Sequence, residues 1–163
     1  MLAQNTNEVI PDNSVSIVET TNPDAPQKSF KTKFSTIYYT NDTDLDDFIW
    51  RLGGQKLEYT SDPQLASNRV DKLVNRVQMI LDMWPKDFQI DIYLHRGTLK
   101  PNETAYYESK TNSIHISVDY TSDGVMAHEL AHASIDHYFP TPPPTKMQEI
   151  LAQYVDKQLW SNY

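Results

Sequence analysis

The hydrophobic and polar positions of this chain follow two different periods, and their order predicts the secondary structure. Residues 34–39 are rich in aromatic and β-branched side chains, which favours a strand. Hydrophobic and polar residues alternate over 88–94, which is typical of a half-buried strand. Residues 104–108 and 113–118 then indicate a hairpin around the turn Lys110-Thr111-Asn112.

Two helices are predicted between the first two strands. Thr43 and Asp44 are candidate caps for a short helix that ends before Gly53-Gly54. A longer helix begins at Asp62-Pro63 and reaches about Trp84, where the next proline stops it. The hydrophobic positions of this longer helix repeat at the helical period: Leu65, Val70, Leu73, Val77, Ile80, Leu81 and Trp84.

Two more helices are predicted after the hairpin. The first follows the candidate caps Thr121-Ser122-Asp123 and ends before Pro140. The proline run 142–144 redirects the chain, and the second helix begins near Thr145, a candidate N-cap. Because the connection is short, we expect the two helices to be neighbours in space. The hydrophobic positions of the second helix are Met147, Ile150, Leu151, Tyr154, Val155 and Leu159.

This order of elements predicts an α+β domain, in which helices pack on a small and mostly antiparallel sheet. We assign residues 34–163 to this domain and residues 1–33 to a flexible N-terminal segment. Residues 1–27 are rich in Asn, Thr, Pro, Asp and Ser, and only Val15–Val18 has the composition of a strand. Such a segment often follows a cleaved signal or lipid anchor. We therefore expect an exported protein (periplasmic, cell-surface or extracellular), with a cytoplasmic protein carrying a disordered head as the alternative.

Composition narrows the classes of function. The chain has 163 residues, with 14 basic and 22 acidic side chains, so its net charge is −8. This charge argues against general nucleic-acid binding and against adhesion to anionic membranes. The sequence contains no run of about 18 apolar residues, so no membrane span is expected. Cysteine is absent, which excludes disulfides and thiolate ligands and leaves His, Glu and Asp for any metal site.

The chemistry is concentrated in His128-Glu129-Leu130-Ala131-His132, within the third predicted helix. Residues four apart lie about 40° apart around a helix, so both imidazoles can reach one zinc ion. Glu129 lies about 100° from His128 and is placed to accept a proton from water that the metal activates. The alternative is a pair of histidines that pack without a metal.

A catalytic zinc ion usually has three protein ligands, so a third ligand is needed. Glu149 lies beside the hydrophobic face of the fourth predicted helix, where an unpaired carboxylate would be costly. The alternative is a solvent-exposed glutamate near a helix N-terminus. Asp136 is four residues after His132, and we expect it to support the site or to lie on the surface. His137 is interpreted as a histidine that interacts with the helix C-terminus.

Together, His128–His132 and the segment Glu149–Val155 resemble the gluzincin metallopeptidases, and in particular the small bacterial MA-like peptidases. The resemblance is strongest over residues 113–160 and weaker upstream, and it implies a zincin-like fold with a C-terminal ligand helix. It implies that His128, His132 and Glu149 bind Zn²⁺ and that Glu129 is the general base. It also implies that Gln153 hydrogen-bonds a ligand histidine and fixes the orientation of its ring.

The resemblance predicts a zinc-dependent peptidase, which we expect to be a monomer acting on a peptide or protein substrate. One strand of residues 104–118 would dock that substrate by strand addition. Candidate residues for oxyanion stabilisation or substrate contact are Tyr154, Tyr106, Tyr107 and His115. The alternative function is a non-catalytic zinc-binding domain for protein interaction or sensing. Glu129 argues against that alternative, because a purely structural zinc site does not need a base.

Overall fold

The computed structural model describes residues 27–53 and 62–161, which form one sheet and four helices. The strands are β1 (Lys28–Lys31), β2 (Ser35–Tyr39), β3 (Ile90–His95), β4 (Ala105–Glu108) and β5 (Ser113–Ser117). The helices are α1 (Asp42–Arg51), α2 (Pro63–Leu81), α3 (Asp123–Tyr138) and α4 (Thr145–Gln158). None of these four helices has the length and apolar character needed to cross a membrane.

The α+β class is confirmed, and the sheet has the strand order β1-β2-β3-β5-β4. A mostly antiparallel sheet was expected, and its two outer pairs, β1–β2 and β4–β5, are antiparallel. The two central pairs, β2–β3 and β3–β5, are parallel. The chain crosses from β2 to β3 through α1 and α2, and such a crossover allows neighbouring strands to run in the same direction. The sheet is therefore mixed, with β1 and β4 at its edges.

The hydrophobic core lies between one face of the sheet and the helices. Strand β3 shows this arrangement most clearly, because Ile90, Ile92 and Leu94 are buried while the residues between them are partly exposed. Helix α3 packs against α2, α4 and β4, and it is the most enclosed of the four helices. Its two histidines and its glutamate are thus carried on an element with little freedom to rotate.

The strands predicted from residue 34 onward are all present, and one further strand was not expected. The hairpin of β4 and β5 has the expected turn, with Asn112 in the left-handed region at φ 51°. Strand β1 lies within the segment assigned to the flexible N-terminus, and it pairs with β2 so that Phe30 faces Ile37. It was missed because only one of its four residues is hydrophobic. The predicted strand Val15–Val18 lies outside the described residues.

Two of the predicted helix boundaries were displaced. Helix α1 has Asn41 at its N-cap position rather than Thr43 or Asp44. Helix α2 begins after Asp62 as predicted, and the side chain of Asp62 accepts a hydrogen bond from the backbone N–H of Leu65. It ends at Leu81, because Asp82 adopts a left-handed conformation with φ 52° that closes the last turn.

Helix α4 buries only half of its hydrophobic stripe. Thr145 is its first residue rather than its cap, and Pro144 occupies the cap position. Val155 and Leu159 are buried against the rest of the domain. Leu151 is partly buried, and the remaining three hydrophobic side chains of the stripe are about half exposed: Met147, Ile150 and Tyr154. They were predicted to share the packed face, but the stripe covers about half the circumference of the helix, which is more than its neighbours can cover.

An ion cluster centred on Arg96 fixes the loop that leads into α3. The guanidinium contacts Asp44 at 2.7 Å, Asp47 at 2.8 Å and Asp119 at 2.9 Å. The backbone N–H of Gly97 donates to Asp119 at 2.7 Å. This N–H and the guanidinium lower the pKa of Asp119, although partial burial acts in the opposite direction. The cluster joins α1 to the ends of β3 and β5, just before the cap of α3.

We predict that Arg96→Met lowers the free energy of unfolding by about 2 kcal/mol, because three carboxylates lose their common partner. The loss should be smaller than for a fully buried pair, since the Arg96 side chain is 28% exposed. Urea unfolding at pH 7 measures this effect. Lys28→Met is the matched control: its pair with Asp42 is exposed and screened by solvent, so we expect no measurable change. Equal effects of the two substitutions would contradict a structural role for the cluster.

Candidate metal centre

Helix α3 carries the central residues of the site, and its sequence explains how they are oriented. Ser122 caps the helix by accepting a hydrogen bond from the backbone N–H of Val125. Met126, Ala127 and Leu130 are completely buried and anchor one face in the core. Residues 128, 129 and 132 are the partly exposed positions of this region, and they face the cleft between β4 and α4.

Three predicted ligands meet in this cleft. Glu149 Oε1 lies 2.9 Å from His128 Nε2, and Glu149 Oε2 lies 3.1 Å from His132 Nε2. The three donor atoms lie within 4.8 Å of one another. The proline-containing loop between α3 and α4 makes this approach possible, because it returns the chain so that α4 packs against α3.

The donor set fits a divalent metal ion. In a tetrahedral zinc site with bonds of about 2.0–2.1 Å, ligand atoms lie about 3.3–3.5 Å apart, which is close to the two separations between Glu149 and the histidines. The two imidazole side chains are 23% and 15% exposed, and the glutamate is 45% exposed. The side open to the cleft leaves room for a further ligand. Two imidazoles and one carboxylate favour zinc, although other first-row divalent ions also accept these ligands.

Glu129 is held at the edge of the sheet, next to the ligand group. The backbone N–H of Tyr107 in β4 is directed at its carboxylate. Burial raises the pKa of Glu129, while the two neighbouring imidazoles and the Tyr107 N–H act in the opposite direction. The carboxylate is therefore partly desolvated and fixed in orientation, as the role of a base requires.

Tyr107 and Asp136 form a second connection between β4 and α3. The Tyr107 hydroxyl donates to Asp136 Oδ2 at 2.7 Å. Burial is the main cause that raises the pKa of Tyr107, and the neighbouring carboxylate of Asp136 raises it further. Asp136 thus supports the strand that holds Glu129 and does not contact the ligand group directly. His137, in the last turn of α3, donates from Nδ1 to the Ala133 carbonyl at 2.7 Å.

Gln148, rather than Gln153, approaches a ligand histidine. Its Oε1 lies 3.5 Å from His132 Nδ1, at the long limit of a hydrogen bond. Its Nε2 donates to the Pro143 carbonyl at 2.9 Å, which orients the amide. Gln153 is exposed and makes no hydrogen bond with any described residue. Sequence reasoning missed Gln148 because the resemblance directed attention to the position one turn after Glu149.

The four residues proposed for oxyanion stabilisation or substrate contact lie in different parts of the fold. Tyr106 and Tyr107 on β4 both border the cleft, but only the Tyr107 side chain points towards α3, whereas the ring of Tyr106 lies on the opposite face of the sheet. Tyr154 is half exposed on α4 and lines neither of the cavities at the ligand group. His115 is on the opposite face of the sheet, where its ring stacks between Tyr93 and Tyr106 and hydrogen-bonds His95 at 2.9 Å.

Two cavities flank the ligand group, and both are lined by Ala105, His128 and Glu129. The smaller has a volume of about 310 Å³ and extends towards the start of α3 and Asp156. The larger has a volume of about 570 Å³ and extends along β4 towards the loop before α4. A molecule that crossed this group of three side chains would therefore have space on both sides.

The outer edge of β4 faces this cleft, and no described strand pairs with its backbone groups. The Ser117 N–H donates to the Thr104 carbonyl at 2.8 Å, and pairing continues in antiparallel register along β5. In that register the N–H and C=O groups of Ala105 and Tyr107 point away from β5. The Tyr107 N–H is taken by Glu129, which leaves the groups of Ala105 directed into the cleft.

No family model, curated protein or solved structure matches this chain.

We predict that Gln148→Ala weakens zinc binding about tenfold, because His132 loses the group that orients its second nitrogen. Gln153→Ala is the matched control on the same helix, and we expect it to leave the affinity unchanged. Competition with a fluorescent zinc chelator measures both values. The opposite ranking of the two variants would restore Gln153 as the partner of the ligand.

We predict that His115 affects the pH dependence of stability rather than metal binding. Burial lowers the pKa of both His95 and His115 below 6.5. Their neutral forms therefore contribute stability above about pH 6.5, which is lost as the pH falls through the lowered pKa values. In the metal-free protein, His115→Gln should reduce the loss of unfolding free energy between pH 7.5 and 5, measured with urea. An unchanged loss would contradict this role, as would altered zinc stoichiometry in the variant.

Proposed function

We propose that this protein is a zinc-dependent peptidase of the gluzincin type, with His128, His132 and Glu149 as metal ligands. The observation that carries the proposal is the meeting of these three side chains beside Glu129 at an open sheet edge. A metal-binding group alone would fit many functions. A desolvated carboxylate next to that group, with cavities on both sides, favours hydrolysis of an extended substrate.

The residues have separate tasks in this proposal. When bound, zinc supplies Lewis acidity that activates water and polarises the substrate carbonyl. Glu129 accepts the proton of the attacking water and delivers it to the leaving nitrogen, so that the carboxylate is regenerated. The Tyr107 N–H holds Glu129 in place, and Asp136 holds the Tyr107 side chain. Gln148 restrains the ring of His132.

Substrate binding is proposed to use the free edge of β4. The N–H and C=O groups of Ala105 are directed into the cleft and can pair with the backbone of an extended peptide. This contact would place a peptide bond beside Glu129, since Ala105 and Glu129 line the same cavities. Backbone pairing gives no sequence preference, so selectivity would depend on the side chains of the two cavities.

We predict that Glu129→Gln reduces peptide hydrolysis at least a hundredfold, because the substitution removes the base. Zinc content should stay near one ion per chain, since the glutamine is not a ligand. Glu149→Ala should reduce the zinc content itself. Elemental analysis of tag-free protein, together with cleavage of a mixed peptide library followed by mass spectrometry, measures both quantities.

The outcomes separate the proposed peptidase from its alternatives. If wild type contains no zinc after incubation with the metal, the three side chains form a metal-free hydrogen-bonded group and the proposal fails. If wild type binds zinc but cleaves nothing in the library, a non-catalytic zinc-binding domain for interaction or sensing is favoured. Cleavage that persists undiminished in Glu129→Gln would contradict the assignment of the base.

A further inference from the structure

The smaller cavity beside the metal centre has a distinct chemical character. Its volume of about 310 Å³ is at the lower end for ligand pockets, so it suits one side chain or terminus rather than a long segment. Its ionisable lining residues are His128, Glu129 and Asp156, and none of its described lining residues is lysine or arginine. The first two belong to the proposed catalytic centre. Asp156, on α4, has no part in that centre.

Asp156 is a carboxylate without a partner among the described residues. It makes no hydrogen bond or ion pair with any of them, in contrast to Asp119 and Asp136, which are both paired. It lies seven residues after Glu149, two turns further along the same face of α4. A ligand held at Glu149 would thus have this carboxylate at the far end of the adjoining cavity.

The position of Asp156 depends on a glycine in α3. A Cβ atom at Gly124 would lie 2.5 Å from Asp156 Oδ1, which is closer than such atoms approach in proteins. Glycine within a helix costs up to about 1 kcal/mol relative to alanine. A side chain at this position would therefore push the Asp156 carboxylate away from its present place.

The helix N-terminus next to this cavity is not available to an anion. The backbone N–H groups of Gly124 and Val125 donate to the side chains of Asp123 and Ser122. Asp123 adds a second negative charge, and its other oxygen accepts from the indole N–H of Trp160. Even if Glu129 and Glu149 balance a divalent metal, Asp123 and Asp156 leave this end of the cleft negative.

We infer that the smaller cavity is a subsite for a protonated amine or guanidinium group of the substrate, with Asp156 as the residue that recognises it. The cationic group comes from a lysine or arginine side chain next to the scissile bond or from a free N-terminus. This inference rests on the proposed peptidase function and adds a substrate class to it. Asp156 is a specificity-determining residue and takes no part in the chemical step.

Binding of hydroxamates to the zinc-loaded full-length protein tests the inference without requiring turnover. The probes are Nα-acetyl-norleucine hydroxamate, which has no cation, Nα-acetyl-lysine hydroxamate, and norleucine hydroxamate with a free α-amine. We expect one of the cationic probes to bind about three- to tenfold more tightly than the neutral probe in calorimetry. The lysine probe identifies a side-chain site, whereas the free α-amine identifies an N-terminal site. The preference should decrease at high salt.

Three variants test whether Asp156 causes the preference for a cationic probe over the neutral probe. Asp156→Asn should abolish the preference and leave binding of the neutral probe unchanged. Gly124→Ala should also reduce it, because the charge is kept but displaced. Asp91→Asn is the matched control, since it removes the same charge from the opposite face of the sheet, and it should preserve the preference.

Each other outcome contradicts a different part of the inference. Equal binding of all three probes to wild type would overturn the cationic subsite and leave the metal centre intact. A preference that survives Asp156→Asn would overturn the assignment to this residue. If the zinc-loaded protein binds no hydroxamate, both the subsite and the open metal centre that supports the peptidase proposal are overturned.

Discussion

The candidate site depends above all on the packing of α3 between the sheet edge and its neighbouring helices. Met126, Ala127 and Leu130 are completely buried, so the helix cannot rotate about its axis without exposing the core. With that rotation fixed, the two candidate ligand histidines and Glu129 face the cleft. The ion cluster at Arg96 constrains the preceding loop and thereby the start of the helix.

Helix α4 contributes what α3 alone lacks. It supplies Glu149, which lies between the two imidazoles, and Gln148, which lies close to the ring of His132. Only half of its hydrophobic stripe is packed, so its attachment to the domain depends strongly on the contact with α3. The ligand group at this contact adds polar interactions that cross-link the two helices, and a bound metal would strengthen that link.

The edge strand β4 lies beside both the proposed base and the proposed binding site for substrate. The N–H of Tyr107 holds Glu129, while the neighbouring Ala105 leaves its backbone groups free in the same cleft. The same strand can therefore orient the proposed base and pair with a substrate. On either side of this contact the cavities contain carboxylates, and Asp156 gives the smaller one its negative character.

Much of this arrangement can be read from local sequence patterns. The alternation in β3, the turn of the hairpin and the caps of α2 and α3 were predicted correctly, because each depends on short-range geometry. The two histidines of α3 could be placed on one helix face for the same reason. Strand β1 was missed, since it is held by pairing with β2 rather than by its own composition.

The sequence by itself determined most of the elements, the net charge and the residue types of the candidate metal site. Only the tertiary structure decided that Glu149 meets both histidines, that Gln148 takes the place expected for Gln153, and that His115 lies on the far side of the sheet. It also decided which half of α4 is buried and brought Asp156 against Gly124. These features depend on how separate elements pack, and periodicity within one element does not specify the side on which its neighbour will lie.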